Sequence, residues 1–283
     1  MTLLVERPGP LSLVQDRGRP GLGHLGVSAS GAFDRGALRQ ANALLGNDDG
    51  AAAIEVVAGG LVLRAAAPHV VAVTGAAGPV TIDGRQVPAG RALRLDTGQR
   101  LAVDPPTWGL RTYVGVSGGL AVAAELGSAS TDTLAGLGPA PLRAGETLRT
   151  GVGRPPPHLE DVPALARTGE ITVDVVLGPR DDWFVPAAVR RLLDDPWQVS
   201  PVSDRVGVRL TGGVLRRARD AELPSEPCLR GSVQVAADGL PMVFGPDHPV
   251  TGGYPVIAVV LDAHTDRLAQ ARPGQVVRFR RRP

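Results

Sequence analysis

The chain contains no lysine, because all 30 of its basic residues are arginine. Schiff-base catalysis and the phosphate-binding lysine of P-loop and kinase sites are therefore excluded within this polypeptide. Cysteine is almost as scarce, with Cys228 the single example in 283 residues. One cysteine excludes a disulfide framework and any CxxC metal or redox motif.

Long apolar runs are also missing. No stretch approaches the roughly 18 consecutive apolar residues of a membrane-spanning helix. The N-terminal residues lack the basic and apolar regions of a signal peptide, so we expect a cytoplasmic protein. The net charge is only +2, and the nine aromatic residues do not interleave with the arginines. A nucleic-acid partner is therefore not expected.

Glycine and proline are abundant instead, at 37 and 26 residues. Short β-like runs separated by turns recur along the chain, and Asp83-Gly84 and Asp238-Gly239 are typical of tight hairpins. Amphipathic spacing predicts two helices, over 34–45 and 186–194. These features favour a mainly β fold with a few short helices. Three successive prolines predict a linker over 154–169, between an N-terminal domain at 1–153 and a C-terminal domain at 170–283.

Three catalytic or binding motifs occur without the context that they need. Residues 21–26 fit G-x-G-x-x-G, but no helix follows to hold a pyrophosphate, which favours a glycine-rich loop. Residues 115–119 fit the G-x-S-x-G of serine hydrolases, but the α/β alternation of that fold is missing. The five histidines do not stand at metal-ligand spacing, so no metal site is predicted.

Polar clusters in glycine-rich surroundings carry more chemical information. They comprise Gln15–Arg19, Ser30–Asp34, Ser203–Arg205, Ser225–Pro227, Gly231–Val235 and Asp247–Pro255. Carboxylates beside arginine can position and polarise a small amide or acid, and glycine pairs offer backbone N–H groups to an anion. Each cluster alone also fits ordinary turn chemistry, but their number in one chain indicates a shared site.

Taken in order, these phrases resemble the biotin-dependent carboxyltransferase family, which includes allophanate hydrolase subunit 2 and the C subunit of 5-oxoprolinase. The resemblance runs from about residue 10 to 279 and includes Val14–Arg19, Leu126–Ser128 with Ser130–Asp132, and Thr251–Pro255. It implies two tandem cyclophilin-like β-barrel domains, with a site between them. Departures occur too, because His248-Pro249-Val250 replaces the usual Gln-Thr pair before Thr251, and Pro249 lacks a backbone donor.

The resemblance also implies a function within a complex. We expect one component of an ATP-dependent amidohydrolase, a 5-oxoprolinase that converts 5-oxo-L-proline to L-glutamate. Its companions would be a protein like the B subunit of 5-oxoprolinase, related to allophanate hydrolase subunit 1, and the A subunit. Such a chain is expected to be inactive alone. One alternative is an allophanate hydrolase or urea-carboxylase-type carboxyltransferase that acts on carboxybiotin. Another is a non-catalytic antagonist that binds a kinase-inhibitor companion protein.

ATP is then expected as a co-substrate of the complex. Covalent biotin on this chain is not expected, since the lysine that would carry it is absent.

The matching phrases supply candidate site residues for binding a small amide. Arg205 is predicted to clamp an anion, because a guanidinium suits bidentate contacts with carboxylate or phosphate. Asp34 and Glu226 are predicted as acid–base or positioning groups, which completes the catalytic set. The predicted substrate-binding set is Arg17, Ser30, Gln234, Thr251, Gly252, Gly253 and Tyr254.

Overall fold

The computed structural model describes residues 1–153, 169–219 and 221–282. The predicted linker therefore lies, except for Gly169, outside the described residues. Three α-helices are present: α1 (Arg35–Leu45), α2 (Pro186–Asp194) and α3 (Asp262–Leu268). The strands are β1 (Thr2–Pro8), β2 (Leu11–Gln15), β3 (Ala53–Val57), β4 (Leu61–Ala65), β5 (His69–Ala77), β6 (Val80–Ile82), β7 (Arg85–Val87), β8 (Ala92–Leu95), β9 (Arg100–Val103), β10 (Trp108–Val116), β11 (Thr147–Arg149), β12 (Ile171–Leu177), β13 (Trp197–Val199), β14 (Gly207–Thr211), β15 (Glu226–Pro227), β16 (Ser232–Val235), β17 (Pro241–Phe244), β18 (Thr251–Gly252), β19 (Val256–Val260) and β20 (Val276–Arg281).

The described residues form two compact units. The first contains Met1–Arg19, Ser30–Asp132 and the described part of Gly136–Arg167. The second contains the described residues after 168, together with Pro20–Ala29 and Thr133–Ala135. Two short segments from the first half of the chain therefore belong to the second unit.

The first unit is built from two antiparallel sheets. One has the strand order β11-β1-β4-β9-β6-β7 and the other β2-β3-β10-β5-β8. Val, Leu, Ile and Ala side chains from both sheets form one buried cluster, which includes Val5, Leu63, Val73 and Val114. The core thus follows from β-branched and leucine side chains at alternating strand positions.

Helix α1 belongs to this unit, and its limits follow from its sequence. Asp34 caps the N-terminus by accepting a hydrogen bond from the Ala37 backbone N–H at 2.9 Å. Gly46 ends the helix in the left-handed conformation at φ 64°. The buried face includes Leu38, Ala41 and Leu45, as the spacing predicts. The helix predicted over 34–45 is therefore confirmed.

The second unit is a closed seven-stranded barrel with the order β12-β19-β16-β17-β14-β13-β20. Strand β20 pairs in parallel with β12 and antiparallel with β13, which closes the barrel. Its interior includes the buried side chains of Val175, Trp197, Val233, Ile257 and Phe279. A separate two-stranded ladder joins β15 to β18. The prediction of a mainly β fold with barrel architecture and a few short helices is confirmed.

Several local predictions agree with the structure. Asp83 and Gly84 adopt φ of 49° and 77° between β6 and β7, as a tight hairpin requires. The helix predicted over 186–194 coincides with α2. Residues 21–26 contain a single 3-10 turn rather than an α-helix, in agreement with a glycine-rich loop. Helix α3 was not predicted. Among the described residues, no helix has the length and apolar character needed to cross a membrane.

Candidate functional site

In the first unit, the loop after β2 is held by the carboxylate of Asp16. Its Oδ1 accepts from the Gly18 backbone N–H at 2.7 Å and from the Ser128 hydroxyl at 2.6 Å. Its Oδ2 accepts from the Ala129 backbone N–H at 2.7 Å. Because charge-assisted hydrogen bonds are strong, this one side chain fixes its own loop against residues 128–130.

The neighbouring loop, 30–34, is anchored by the buried carboxylate of Glu55. Glu55 Oε2 accepts from the Phe33 backbone N–H at 2.9 Å and from the Tyr113 hydroxyl at 2.6 Å. The same hydroxyl accepts from the Asp34 backbone N–H at 2.7 Å. Burial and the adjacent Glu55 charge raise the pKa of Tyr113 well above its ordinary value, so its hydroxyl stays protonated and donates. Arg111 lies 3.5 Å from Glu55 Oε1 and balances the charge.

These contacts bring three of the predicted residues onto adjacent loops. The Ala32 backbone N–H donates to the Asp16 carbonyl at 3.0 Å, which joins the loop of Arg17 to that of Ser30 and Asp34. Arg17 is exposed, whereas Ser30 is 5% exposed and donates to the Thr131 carbonyl at 3.2 Å. Asp34 is occupied as the cap of α1.

In the second unit, Arg205 is buried against a carboxylate. Its Nε and Nη2 donate to the two carboxylate oxygens of Asp247 at 2.8 and 2.9 Å. Asp247 also accepts from the backbone N–H and the hydroxyl of Thr133 at 2.9 and 2.8 Å. With exposures of 2% and 0%, both charges are satisfied inside the protein. This geometry gives Arg205 a positioning contact, and its role as an anion clamp stays a prediction.

Glu226 is also paired. Its carboxylate forms a bidentate contact with Arg180, whose Nε lies 3.0 Å from Oε2 while Nη2 contacts Oε1. This hydrogen bonding lowers the pKa of Glu226 against the opposing effect of burial, so the group stays ionised. An ionised carboxylate can orient and polarise a neighbour but is a poor proton donor at neutral pH.

The β15–β18 ladder then places Glu226 opposite Gly252 and Pro227 opposite Thr251. Gln234 lies directly behind this ladder, and its Nε2 donates to the Tyr254 carbonyl at 3.2 Å. A Cβ on Gly252 would come within 2.6 Å of that Nε2 and 3.1 Å of the Cys228 sulfur. Glycine is therefore needed here for the close packing of Gln234.

The Tyr254 ring is 45% exposed, and the Arg217 guanidinium lies 5.6 Å from its centroid. Cys228, by contrast, is buried, and desolvation raises the pKa of its thiol, which disfavours a nucleophilic role.

The second unit thus collects most of the predicted substrate-binding residues into one surface. We call it the ladder cluster: Arg180, Arg217, Glu226, Gln234, Thr251, Gly252, Gly253 and Tyr254. Arg180 and Arg217 were not predicted. Asp247, Glu55, Asp16 and Tyr113 were likewise not assigned to the site, although Glu55 interrupts an otherwise apolar strand and was detectable for that reason. No cluster of three or more potential metal ligands occurs among the described residues.

Comparison with known proteins places this architecture in context. Residues 25–281 match the family model described as carboxyltransferase domain, subdomain A and B. The chain is 38% identical to the C subunit of 5-oxoprolinase from Escherichia coli over 281 residues, which cover 98% of this chain and 90% of that protein. It is 31% identical to urea amidolyase of Saccharomyces cerevisiae, covering 97% of this chain and 16% of that protein.

Solved structures agree with the sequence relatives. The crystal structure of TTHA0988 superposes with a TM-score of 0.90 at 36% identity and is covered by 99% of this chain. This chain spans 56% of the length of that one. The Kluyveromyces lactis urea amidolyase gives a TM-score of 0.91 at 27% identity, with 98% of this chain and 18% of that chain covered. The chain belongs to the carboxyltransferase family of subdomain A and B proteins.

Proposed function

We propose that this chain is the C subunit of a cytoplasmic 5-oxoprolinase, in which ATP drives the opening of 5-oxo-L-proline to L-glutamate. The observation that carries the proposal is the 38% identity to a 5-oxoprolinase C subunit over 90% of that protein's length. The name of that relative gives it a letter as one of several subunits, so companion A and B subunits complete the enzyme. On this proposal the isolated chain has no turnover.

The ladder cluster is where we place the amide substrate. The carboxylate of 5-oxoproline is an anion, and the exposed Tyr254 ring beside Arg217 offers a cationic and aromatic surface for it. Glu226, kept ionised by Arg180, would fix the direction of the Arg180 guanidinium. We assign Arg205 and Asp34 the task of holding their loops, since each is bound to other groups of the protein. ATP acts as the co-substrate of the complex.

Reconstitution tests the proposal. The chain is mixed with the purified A and B subunits, ATP and 5-oxoproline, and the release of glutamate and phosphate is followed. We expect both products only when all three proteins are present. Tight binding to a companion without turnover would support an antagonist instead, and turnover that is unchanged when this chain is omitted would refute the proposal.

Two adjacent glycines provide a matched pair of variants for the ladder cluster. Gly252→Ala pushes the end of the Gln234 side chain away from the Tyr254 carbonyl, at a cost of about 1 kcal/mol in folding stability. Gly253→Ala meets nothing closer than 3.5 Å. In the complete complex we expect a loss of turnover of at least about tenfold for the first variant and little change for the second. Equal turnover in both would remove the ladder cluster from the site.

A second function is favoured by the urea amidolyase relatives, since about 97% of this chain aligns with a part of the Saccharomyces cerevisiae enzyme. On that alternative, the chain transfers a carboxyl group from carboxybiotin, which is carried by another protein, to a small amide. Dependence of turnover on bicarbonate and on a biotinylated partner distinguishes it. Turnover of 5-oxoproline without either component excludes it.

A further inference from the structure

The turn at Glu125–Ser128, in the first unit, has an unfavourable residue at its tip. Glu125 and Ser128 exchange both backbone hydrogen bonds, at 2.9 and 3.2 Å. Between them Leu126 and Gly127 adopt φ of 52° and 81°. Asparagine, aspartate and glycine are favoured where both central residues of a turn have positive φ, whereas a leucine there is strained. Leu126 is nevertheless 49% exposed, so its apolar side chain is not retained for packing in the core.

The surrounding structure holds this turn rigidly. The Glu125 carboxylate accepts from the Gly138 backbone N–H at 2.6 Å and so ties the tip to the next loop. Asp16 binds Ser128 and Ala129 on the other side of the turn. Strained backbone persists only where neighbouring contacts determine it, and such positions concentrate at functional surfaces.

The surface around the tip is almost free of charge. Residues 121–127 and 136–141 contain one ionisable side chain, Glu125, whereas one residue in five is charged over the whole chain. The side chains here are small and apolar, and Ala121, Ala123, Ala124, Ala140 and Pro141 are exposed. An uncharged apolar surface with a rigid projecting leucine suits an apolar surface of another protein and offers nothing to an anion or a nucleic acid.

We propose that Leu126 is an apolar anchor for a companion protein of the complex, with residues 121–127 and 136–141 as the surrounding contact surface. The inference rests on the proposed function, and relatives indicate that the occupant is protein. One relative is named as a lettered subunit, and in TTHA0988 the matching part is 56% of a longer chain. These relatives therefore keep this part of the fold together with further polypeptide. A rigid anchor costs little conformational entropy on association.

Leu126→Asn separates binding from folding, because asparagine suits the turn better than leucine. We expect this variant to melt at the same or a higher temperature than the parent and to bind the purified B subunit at least about tenfold more weakly. Leu126→Met keeps an apolar side chain and should bind within about threefold of the parent. Val152→Asn, at a position 93% exposed in the same unit, is the control and should bind as the parent does.

Affinities are measured by isothermal titration calorimetry with the B subunit, then separately with the A subunit. If the parent binds either of these proteins and Leu126→Asn binds it equally well, the anchor is refuted while the proposed function stands. If the parent binds neither of them, the proposed function fails and the anchor fails with it. Weakened binding together with an unchanged melting temperature supports the anchor. Should Leu126→Asn melt at a lower temperature, Leu126→Gly replaces it under the same criteria.

Discussion

At the scale of single residues, the first unit depends on a buried carboxylate rather than on a reactive group. Glu55 is fully buried and is balanced by Arg111 and the Tyr113 hydroxyl. A buried charge that loses one partner is left without compensation, which is more costly than the loss of an exposed contact. The network therefore makes the position of the 30–34 loop sensitive to single atoms.

Tyr113→Phe removes one such atom. The substitution deprives the Asp34 backbone N–H of its acceptor and Glu55 of a donor. We expect the free energy of unfolding to fall by about 1–3 kcal/mol, because both groups are left short of a partner. Urea denaturation followed by circular dichroism measures the change. Tyr254→Phe alters the other tyrosine of the chain, whose ring is 45% exposed, and should change stability by less than about 0.5 kcal/mol.

The site residues show what sequence reasoning can and cannot supply. The polar phrases around Arg205, Glu226 and Gln234 were recognisable because carboxylates and arginines stand together in glycine-rich loops. Their partners were not, since Asp247 lies 42 positions from Arg205 and Arg180 lies 46 from Glu226. Nothing local in a sequence states which carboxylate meets which guanidinium. That pairing is decided by the fold, and it changes the expected task of Arg205 from binding a ligand to holding a loop.

At the scale of elements, the closure of the barrel carries its own ion pairs. Asp174 on β12 is buried and contacts Arg280 of the neighbouring parallel strand β20 at 2.6 Å, and it also contacts Arg282. The hydrogen bond from Arg280 lowers the pKa of Asp174 to about 2 in spite of its burial, with Arg282 adding to the effect. The strands that close the barrel are therefore joined by charge as well as by their backbone ladder.

Asp174→Asn tests this junction through pH. A carboxylate whose pKa is lower in the folded than in the unfolded chain stabilises the fold above the unfolded pKa of about 3.9. That contribution is lost as the pH falls through the folded value of about 2. We expect the stability difference between parent and variant, from denaturant titrations, to be constant at pH 5–7 by this argument and to shrink between about pH 4 and 2.

Glu170→Gln is the matched control for that experiment, because Glu170 pairs with Arg278 of the same strand at half-exposed positions. Exposed ion pairs contribute little, so this variant should lie close to the parent at every pH. A constant difference for Asp174→Asn down to pH 2 would contradict the lowered pKa.

Elements with local signals were predictable, and those without them were not. Helix α1 has a capping aspartate, an apolar face and a terminal glycine, all of which can be recognised in the sequence. Helix α3, Asp262–Leu268, has no side-chain cap and only two buried residues, Thr265 and Leu268. Its sequence lacks a helical pattern because its position depends on tertiary contacts, such as the Arg230–Asp266 ion pair at 2.9 Å.

At the scale of the whole molecule, the two compact units are not two consecutive halves of the chain. Pro20–Ala29 and Thr133–Ala135 belong to the second unit although they precede its barrel in sequence. Thr133 supplies two of the hydrogen bonds received by the buried Asp247 carboxylate. Domain boundaries drawn at 153 and 170 stay a prediction, and a fragment that starts at residue 170 would lack these donors.

Expression of residues 170–283 alone tests whether that fragment is complete. Hydrogen bonds to a charged group are each worth about 1.5–3 kcal/mol, so a barrel without Thr133 should be markedly less stable than the same barrel in the full chain. Thermal melts and denaturant titrations, followed by the fluorescence of Trp183 and Trp197, measure the loss. In the full chain, Thr133→Val removes the hydroxyl and keeps the backbone donor, so it should cost about 1.5–3 kcal/mol. A fragment as stable as the barrel of the intact chain would show that the segments 20–29 and 133–135 contribute nothing to the second unit, and that 170 is its true beginning.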